Sequence, residues 1–294
     1  MKRTLVSCLA AALILIAPAA VGAATLVVAN TSDSGAGSLR QAILNNLAMG
    51  GGNTITFSNT VTGTITLTSG ELLIGTNVTI NGPGQALLSL SGNNICRVFH
   101  ITGANVALSG LTITRGKTNN ASGGGILQEA GTLMMSACTV VSNVGGTLSG
   151  GLESRAQARL SDCTIAGNTG TNGGAGGIFQ SSGSLSLSNC TLFGNSGAFG
   201  GGVWVSNAAL QMINCTLTAN NGGFGGGLFF EQGSAGITNS TFYKNSATHG
   251  GGIYDSVAAN VRNTIVASNS VTGLGPDCFG NVSSAGFKIG RAHV

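Results

Sequence analysis

The chain repeats itself. "NCTLFGNSGAFGGGVWV" begins at Asn189, and close copies stand on both sides: "DCTIAGN" at Asp162, "NCTLTANNGGFGGGLFF" at Asn214 and "NSTFYKNSATHGGGIYD" at Asn239. Aligned on Cys190, the equivalent positions are Leu111, Cys138, Cys163, Cys215, Ser240 and Thr264, 24 to 27 residues apart. A unit this short cannot enclose a core of its own, so it must bury its apolar side against its neighbours. Within a unit the apolar period is two: Leu185 and Leu187 alternate with serines in "SLSLSNCTL". A residue tolerant of the left-handed conformation then marks a bend. Gly110, Asp162, Asn189, Asn214, Asn239 and Asn263 hold that place, with Ala137 as the misfit.

After the bend the Cys position faces in, Thr faces out, and Val140, Ile165, Leu192, Leu217 and Phe242 face in. Asn143, Asn168, Asn195, Asn220, Asn245 and Asn269 close this strand. A glycine run leads to the next inward aliphatic: Ile126, Leu152, Ile178, Val203, Leu228 and Ile253. Three strands and three bends per unit describe an all-β fold, a right-handed parallel β-helix. Its coils stack about 4.8 Å apart, so that equivalent side chains form rows along the axis. The asparagines are expected to hydrogen-bond from coil to coil. Cys138, Cys163, Cys190 and Cys215 read as a buried, reduced row. They lack the CxxC spacing or His partners of a metal site, and Leu111, Ser240 and Thr264 share their slot. No metal or cofactor is expected.

Composition limits the function classes. Fifty glycines coexist with 42% hydrophobic and only 7% charged residues, and the formal charge of +4 includes no run of Lys or Arg. The footprint of a nucleic-acid binder is missing. Residues 1–24 read as a secretory signal peptide: Lys2 and Arg3, an apolar stretch from Leu5 to Ile16, and small residues before a cut near Ala23 or Ala24. That stretch is shorter than the roughly 20 residues of a membrane span, and no later segment of the mature chain reads as a transmembrane helix. A secreted or cell-surface location is expected.

Residues 25–104 read as a cap and irregular first coils. "TLVVAN" is a strand, and "SLRQAILNNLA" is an amphipathic helix with Ser38 and Gln41 as a capping box and Leu39, Ala42, Ile43 and Leu47 on one face. Laid over the first coil, the helix would cover its open edge. Cys96 is a lone core cysteine. Residues 105–287 are the regular coils. The tail 288–294, "KIGRAHV", reads as the translation of a common sequencing adapter, so the natural chain is expected to continue past residue 287.

The run "TLVVANTSDSGAGSLRQAI", followed by "TITF", "GTITLTSGELLI", "NGPG", "RVFHI" and "LSGLTIT", resembles the N-terminal region of exported bacterial β-helix proteins with an SLR-type leader. The glycine triplets behind an aromatic-x-x-Asn, best seen in "FYKN" at Phe242, are similar to the repeats of chlamydial polymorphic outer membrane proteins. The resemblance spans Thr25 to Phe287. It implies a surface or secreted passenger, often with a C-terminal anchor, and it carries no catalytic motif.

Chemistry on such a scaffold would need clustered carboxylates. The eight acids (Asp33, Glu71, Glu129, Glu153, Asp162, Glu231, Asp255 and Asp277) are mostly isolated in the sequence. Glu231 and Asp255, on adjacent coils, are the nearest to a catalytic pair, and they carry the alternative reading of a polysaccharide lyase or glycoside hydrolase. His249, before a glycine triplet, reads as a loop residue. The position after the inward aliphatic is more suggestive. Phe179, Trp204, Phe229 and Tyr254 follow one another there and form an outward aromatic stripe suited to a glycan or a protein partner. The leading expectation is a non-enzymatic surface protein, adhesin-like or a structural stalk, binding an extracellular glycan or surface protein along that stripe.

Overall fold

The computed structural model describes residues 22–284 and the backbone of 288–289. The signal-peptide reading therefore falls almost wholly outside the described residues. The chain winds into a parallel β-solenoid with three walls. Wall 1 takes the strands that open with the inward aliphatic (Ile126–Gln128, Leu152–Ser154, Ile178–Gln180), wall 2 the alternating strands (Thr132–Ser136, Gln157–Ser161, Ser184–Ser188), and wall 3 the strands behind the Cys slot (Thr139–Val141, Thr164–Ala166, Thr191–Phe193). Wall 3 is a 10-stranded sheet, whereas walls 1 and 2 join into one 18-stranded sheet. They join because two strands, Val203–Ile213 and Leu228–Thr238, run 11 residues without a break around the corner. Every pairing is parallel and in the register of the sequence repeat, as in Ile178↔Val203 and Trp204↔Phe229.

The corner between walls 1 and 2 shows why most coils break there. Its inward position reads Gln128, Ser154, Gln180, Val205, Phe230 and Asp255, all buried. Gln128 donates to the Gly131 and Gln157 carbonyls, and Gln180 donates to that of Ala156. Where the position turns apolar, at Val205 and Phe230, no side-chain amide reaches the corner carbonyls and the strand continues through it.

The bend residues behave as their chemistry requires. Asp162, Asn189, Asn214, Asn239 and Asn263 have φ between 47° and 54°, and the misfit Ala137 is forced to 48°. Positive φ recurs just before each ladder asparagine, at Ser142, Gly167, Gly194, Ala219, Lys244 and Ser268. That second set has no common residue type and is not readable from composition. The first glycine of each triplet is fixed by crowding as well as by conformation. A Cβ on Gly225 (φ 62°) would sit 2.1 Å from the Leu228 carbonyl oxygen.

The N-terminal helix, Leu39–Ala48, is capped by Ser38, whose side chain accepts from the Gln41 backbone N–H. The reciprocal half of the box is not made, because the Gln41 side chain donates to Asn45 instead. Leu39, Ala42 and Ile43 are buried, but the expected fourth member, Leu47, is 53% exposed. Asn46 takes the buried place. Its amide donates to Thr76 and to the Asn77 carbonyl while accepting from Asn53. Asp33 ties the cap to the first coil, accepting from Arg40, from the Thr68 and Ser69 backbone N–H groups and from the Thr68 hydroxyl.

Candidate functional site

The outer face of wall 1 carries one row of side chains along the axis: Leu73, His100, Leu127, Glu153, Phe179, Trp204, Phe229, Tyr254 and Phe279, each in register with the next. The row is aromatic from Phe179 onward, and before that it alternates leucine with the polar residues His100 and Glu153.

In the aromatic half the four stripe residues do adjoin one another, with centroid separations of 4.2 Å (Phe179–Trp204), 6.1 Å (Trp204–Phe229) and 5.2 Å (Phe229–Tyr254). Phe279 extends the row, 5.0 Å beyond Tyr254. The stripe is not bare, however. A second row, Phe199, Phe224 and His249, leans onto it from the bend before the glycines. Phe199 and Phe224 stack 5.5 Å apart, and Phe224 and His249 5.7 Å apart. Under this cover Phe179 is 4% and Phe229 8% exposed, while Trp204, Tyr254 and the covering rings remain half-exposed. Phe179 and Phe229 act as the floor of an external aromatic block, and the other rings form its surface. Phe199, Phe224 and His249 each directly precede a glycine triplet, so their common slot was visible in the sequence. Its proximity to the stripe was not, because it depends on how the bend folds back.

Glu231 and Asp255 do not form a pair. Asp255 is in register with Phe230, one residue before Glu231, so strand alternation sends the two carboxylates to opposite faces. Asp255 is buried and accepts from the Val257 and Ala259 backbone N–H groups, closing a turn. Glu231 is exposed, and its Oε2 accepts from Trp204 Nε1 at 3.1 Å, which fixes the plane of the indole.

The polar half gathers residues that look isolated in the sequence. His100 Nδ1 lies 2.8 Å from Glu71 Oε1, and its Nε2 lies 3.3 Å from Glu129 Oε1. Arg97, itself buried, bonds the other Glu71 oxygen at 2.7 Å and donates to the Ser122 and Gly123 carbonyls. Glu71 stands two residues before the row position of its coil and Glu129 two after, so the histidine between them is reached from both sides. No spacing along the chain signals this. In the next coil Glu153 is fully buried. Its Oε1 accepts from Arg155 Nε at 2.7 Å, and its Oε2 has no hydrogen-bond partner. Burial pushes its carboxyl above the ordinary carboxylate range, and the neighbouring Arg155 only partly offsets this.

Two rows lie inside the walls. The cysteines are buried and not disulfide-bonded. Cys138, Cys163, Cys190 and Cys215 each direct Sγ at the carbonyl two residues earlier, at 3.2 to 3.3 Å. Thiol–thiol contacts, and then burial, hold Cys163 and Cys215 above the ordinary thiol range. No group of three or more His, Cys, Asp or Glu suited to a metal ion occurs among the described residues, and no helix among them is long and apolar enough to cross a membrane.

Residues 148–271 match the family model described as "Right handed beta helix region". Among solved structures, the chain is similar to ORF18 of Geobacillus virus E2, with 12% identity and a TM-score of 0.40 over 90% of this chain and 61% of that one. It is also similar to the Agl-KA catalytic domain, with 11% identity and a TM-score of 0.26 over 85% of this chain and 64% of that one. The chain thus spans less than two thirds of either protein. No curated protein matches.

Proposed function

We propose that this chain is an exported, non-enzymatic β-helix that binds an extended glycan along the outer face of wall 1. Parallel β-helices serve both as adhesins and as polysaccharide-degrading enzymes, so the choice rests on the site and not on the fold. The observation that carries the reading is the double row of rings from Phe179 to Phe279. Coils repeat at about 4.8 Å, close to the length of one pyranose unit in an extended chain, so successive sugars would meet successive rings. Trp204, held by Glu231, and Tyr254 supply aromatic surface to the apolar faces of sugars. The buried floor rings fix these positions before any ligand arrives, which lowers the ordering cost of binding.

A glycan array and pull-down with the wild type and with Trp204→Ala combined with Tyr254→Ala test this. Loss of the bound glycans in the variant is the expected result. Equal binding by both proteins would remove the stripe as the contact surface.

One observation favours polysaccharide cleavage as a second reading. His100 stands between two partly exposed carboxylates at the other end of the same face, where a bound chain would pass. A chain-shortening activity lost in His100→Gln and in Glu129→Gln would replace the binding reading with an enzymatic one.

A further inference from the structure

The outer face of wall 2 holds a second feature that the aromatic face does not use. A shallow groove of about 490 Å³ runs across five coils there. That volume lies within the roughly 300–1,000 Å³ of small-molecule sites. Its floor is set by register: Met134, Arg159 and Ser186 stand side by side in one column, and Ser136, Ser161 and Ser188 in the next. Small serines make the trough. The Met134 side chain, 47% exposed, gives it one apolar flank.

Arg159 is the only charged side chain among the groove's lining residues. It is exposed, and among the described residues no carboxylate lies within ion-pair distance of it. The nearest acid along the chain, Asp162, stands on the bend and accepts from Asn189. The other half of the molecule treats arginine differently: Arg40 and Arg97 are each tied to a carboxylate and to backbone carbonyls. An uncompensated guanidinium among hydroxyls, beside an apolar flank, has the donor set for a planar anion carried on a polyhydroxyl body.

We infer that this groove is a binding site for an acidic saccharide, with Arg159 taking its carboxylate or sulfate and the serines of both columns taking its hydroxyls. The site is on a different wall from the aromatic block and does not rest on that reading.

Calorimetric titrations of the mature protein with a galacturonate trimer, a sulfated hexasaccharide and neutral maltotriose test it, and the first two ligands distinguish the carboxylate from the sulfate. The expected result is that at least one acidic ligand binds, more weakly as salt rises, and that maltotriose does not bind. Arg159→Gln should weaken the acidic ligand at least tenfold, and Arg159→Lys less than that. Ser161→Leu fills the trough without touching the charge and should weaken binding as well. Trp204→Ala should leave it unchanged, so failure of the aromatic reading cannot mimic failure here. Unchanged thermal melting of each variant shows that the fold is kept. The inference is overturned if neutral and acidic sugars bind alike, if none binds, or if Arg159→Gln binds as the wild type does. Full affinity in Ser161→Leu also overturns it, because the arginine would then be a surface charge and not part of a groove.

Discussion

Two rows of buried side chains run along the regular coils, and they follow opposite rules. In the asparagine row no other residue type appears in six consecutive coils, from Asn143 to Asn269. In the cysteine row the slot holds Leu111, four cysteines, Ser240 and Thr264. Both rows are buried. The difference lies in how many hydrogen bonds each slot must make. Asn195 makes four. Its Oδ1 accepts from the backbone N–H and the side-chain amide of Asn168, and its Nδ2 donates to Asn220 Oδ1 and to the Ile165 carbonyl. Only a side chain with two donors and two acceptor sites closes that circuit. The cysteine slot asks for no more than one donor to the carbonyl two residues back: Ser240 and Thr264 supply it at 2.9 and 2.8 Å, and Leu111 supplies none. Repetition in a solenoid is therefore strict where the coil-to-coil network is reciprocal and loose where it is local.

The largest expected effect is at the strict row. Asn195→Leu leaves the Asn168 amide and backbone N–H and the Ile165 carbonyl short of partners. Each buried group left unpaired costs about 1–3 kcal/mol, so a loss of about 4 kcal/mol is expected. Because each coil contacts only its neighbours, the damage should be local. Hydrogen exchange should accelerate in residues 165–222 and much less near the N-terminal cap. Uniform exchange across the solenoid, or a loss below about 1 kcal/mol, would put the asparagine row on a par with the cysteine row.

The ends of the network sharpen the contrast. Every ladder amide donates toward the C-terminal side, and the last one, Asn269, donates to Asp277 Oδ1 at 3.0 Å. An acceptor-only carboxylate suits that end. In mid-row the same group would face the Ile165 carbonyl and Asn220 Oδ1, which are both acceptors. Asn195→Asp should therefore destabilise the protein at pH 7 and recover part of the loss at acid pH, where a protonated carboxyl can donate. At the opposite end Asp33 anchors the cap. Burial opposes its ionisation, but hydrogen bonds from Ser69, Arg40 and Thr68 outweigh this and hold it at about 2. An ordinary aspartate titrates near 4. Its folded value is thus depressed, and its contribution is complete above about pH 5 and is lost as pH falls toward 2. Melting of the wild type should drop across that window by more than melting of Asp33→Asn. Parallel pH curves for the two proteins would remove the anchoring role.

The repeat made the fold legible because strand alternation, bend residues and glycine triplets each recur in register, and together they fix the three walls. The cap was legible in kind, but the face was misassigned. Leu47 obeys the apolar rule and is exposed, whereas Asn46 breaks the rule and is buried because three polar partners await it. The candidate sites were less legible. The aromatic row could be found from its slot, but the rings that cover it come from a bend whose path the pattern does not give. The Glu71–His100–Glu129 cluster was missed because its members sit at different offsets in three coils, two of them irregular and the third the first of the regular ones. The proposed carboxylate pair, Glu231 and Asp255, failed on parity: an offset of one in register reverses the face.

The smallest expected effect is at the loose row. Cys190→Ser replaces a weak S–H donor with an O–H donor of the same reach, aimed at the Ser188 carbonyl that Cys190 Sγ now meets at 3.3 Å. It also removes a little apolar surface from the core. The two changes oppose each other, and Ser240 shows that the coil accepts the exchange. A change within about 1 kcal/mol is expected. Cys190→Leu is the sharper test, since added volume between Cys163 and Cys215 should cost about 1–3 kcal/mol, even though Leu111 is tolerated in the first regular coil. The same row should titrate as four thiols in the unfolded protein, with or without prior reductant, because all four are free and buried away from solvent oxidants in the fold. Two disulfides among these four would mean that the row is a covalent staple. The contrast with the asparagines would then be one of bond type and not of hydrogen-bond demand.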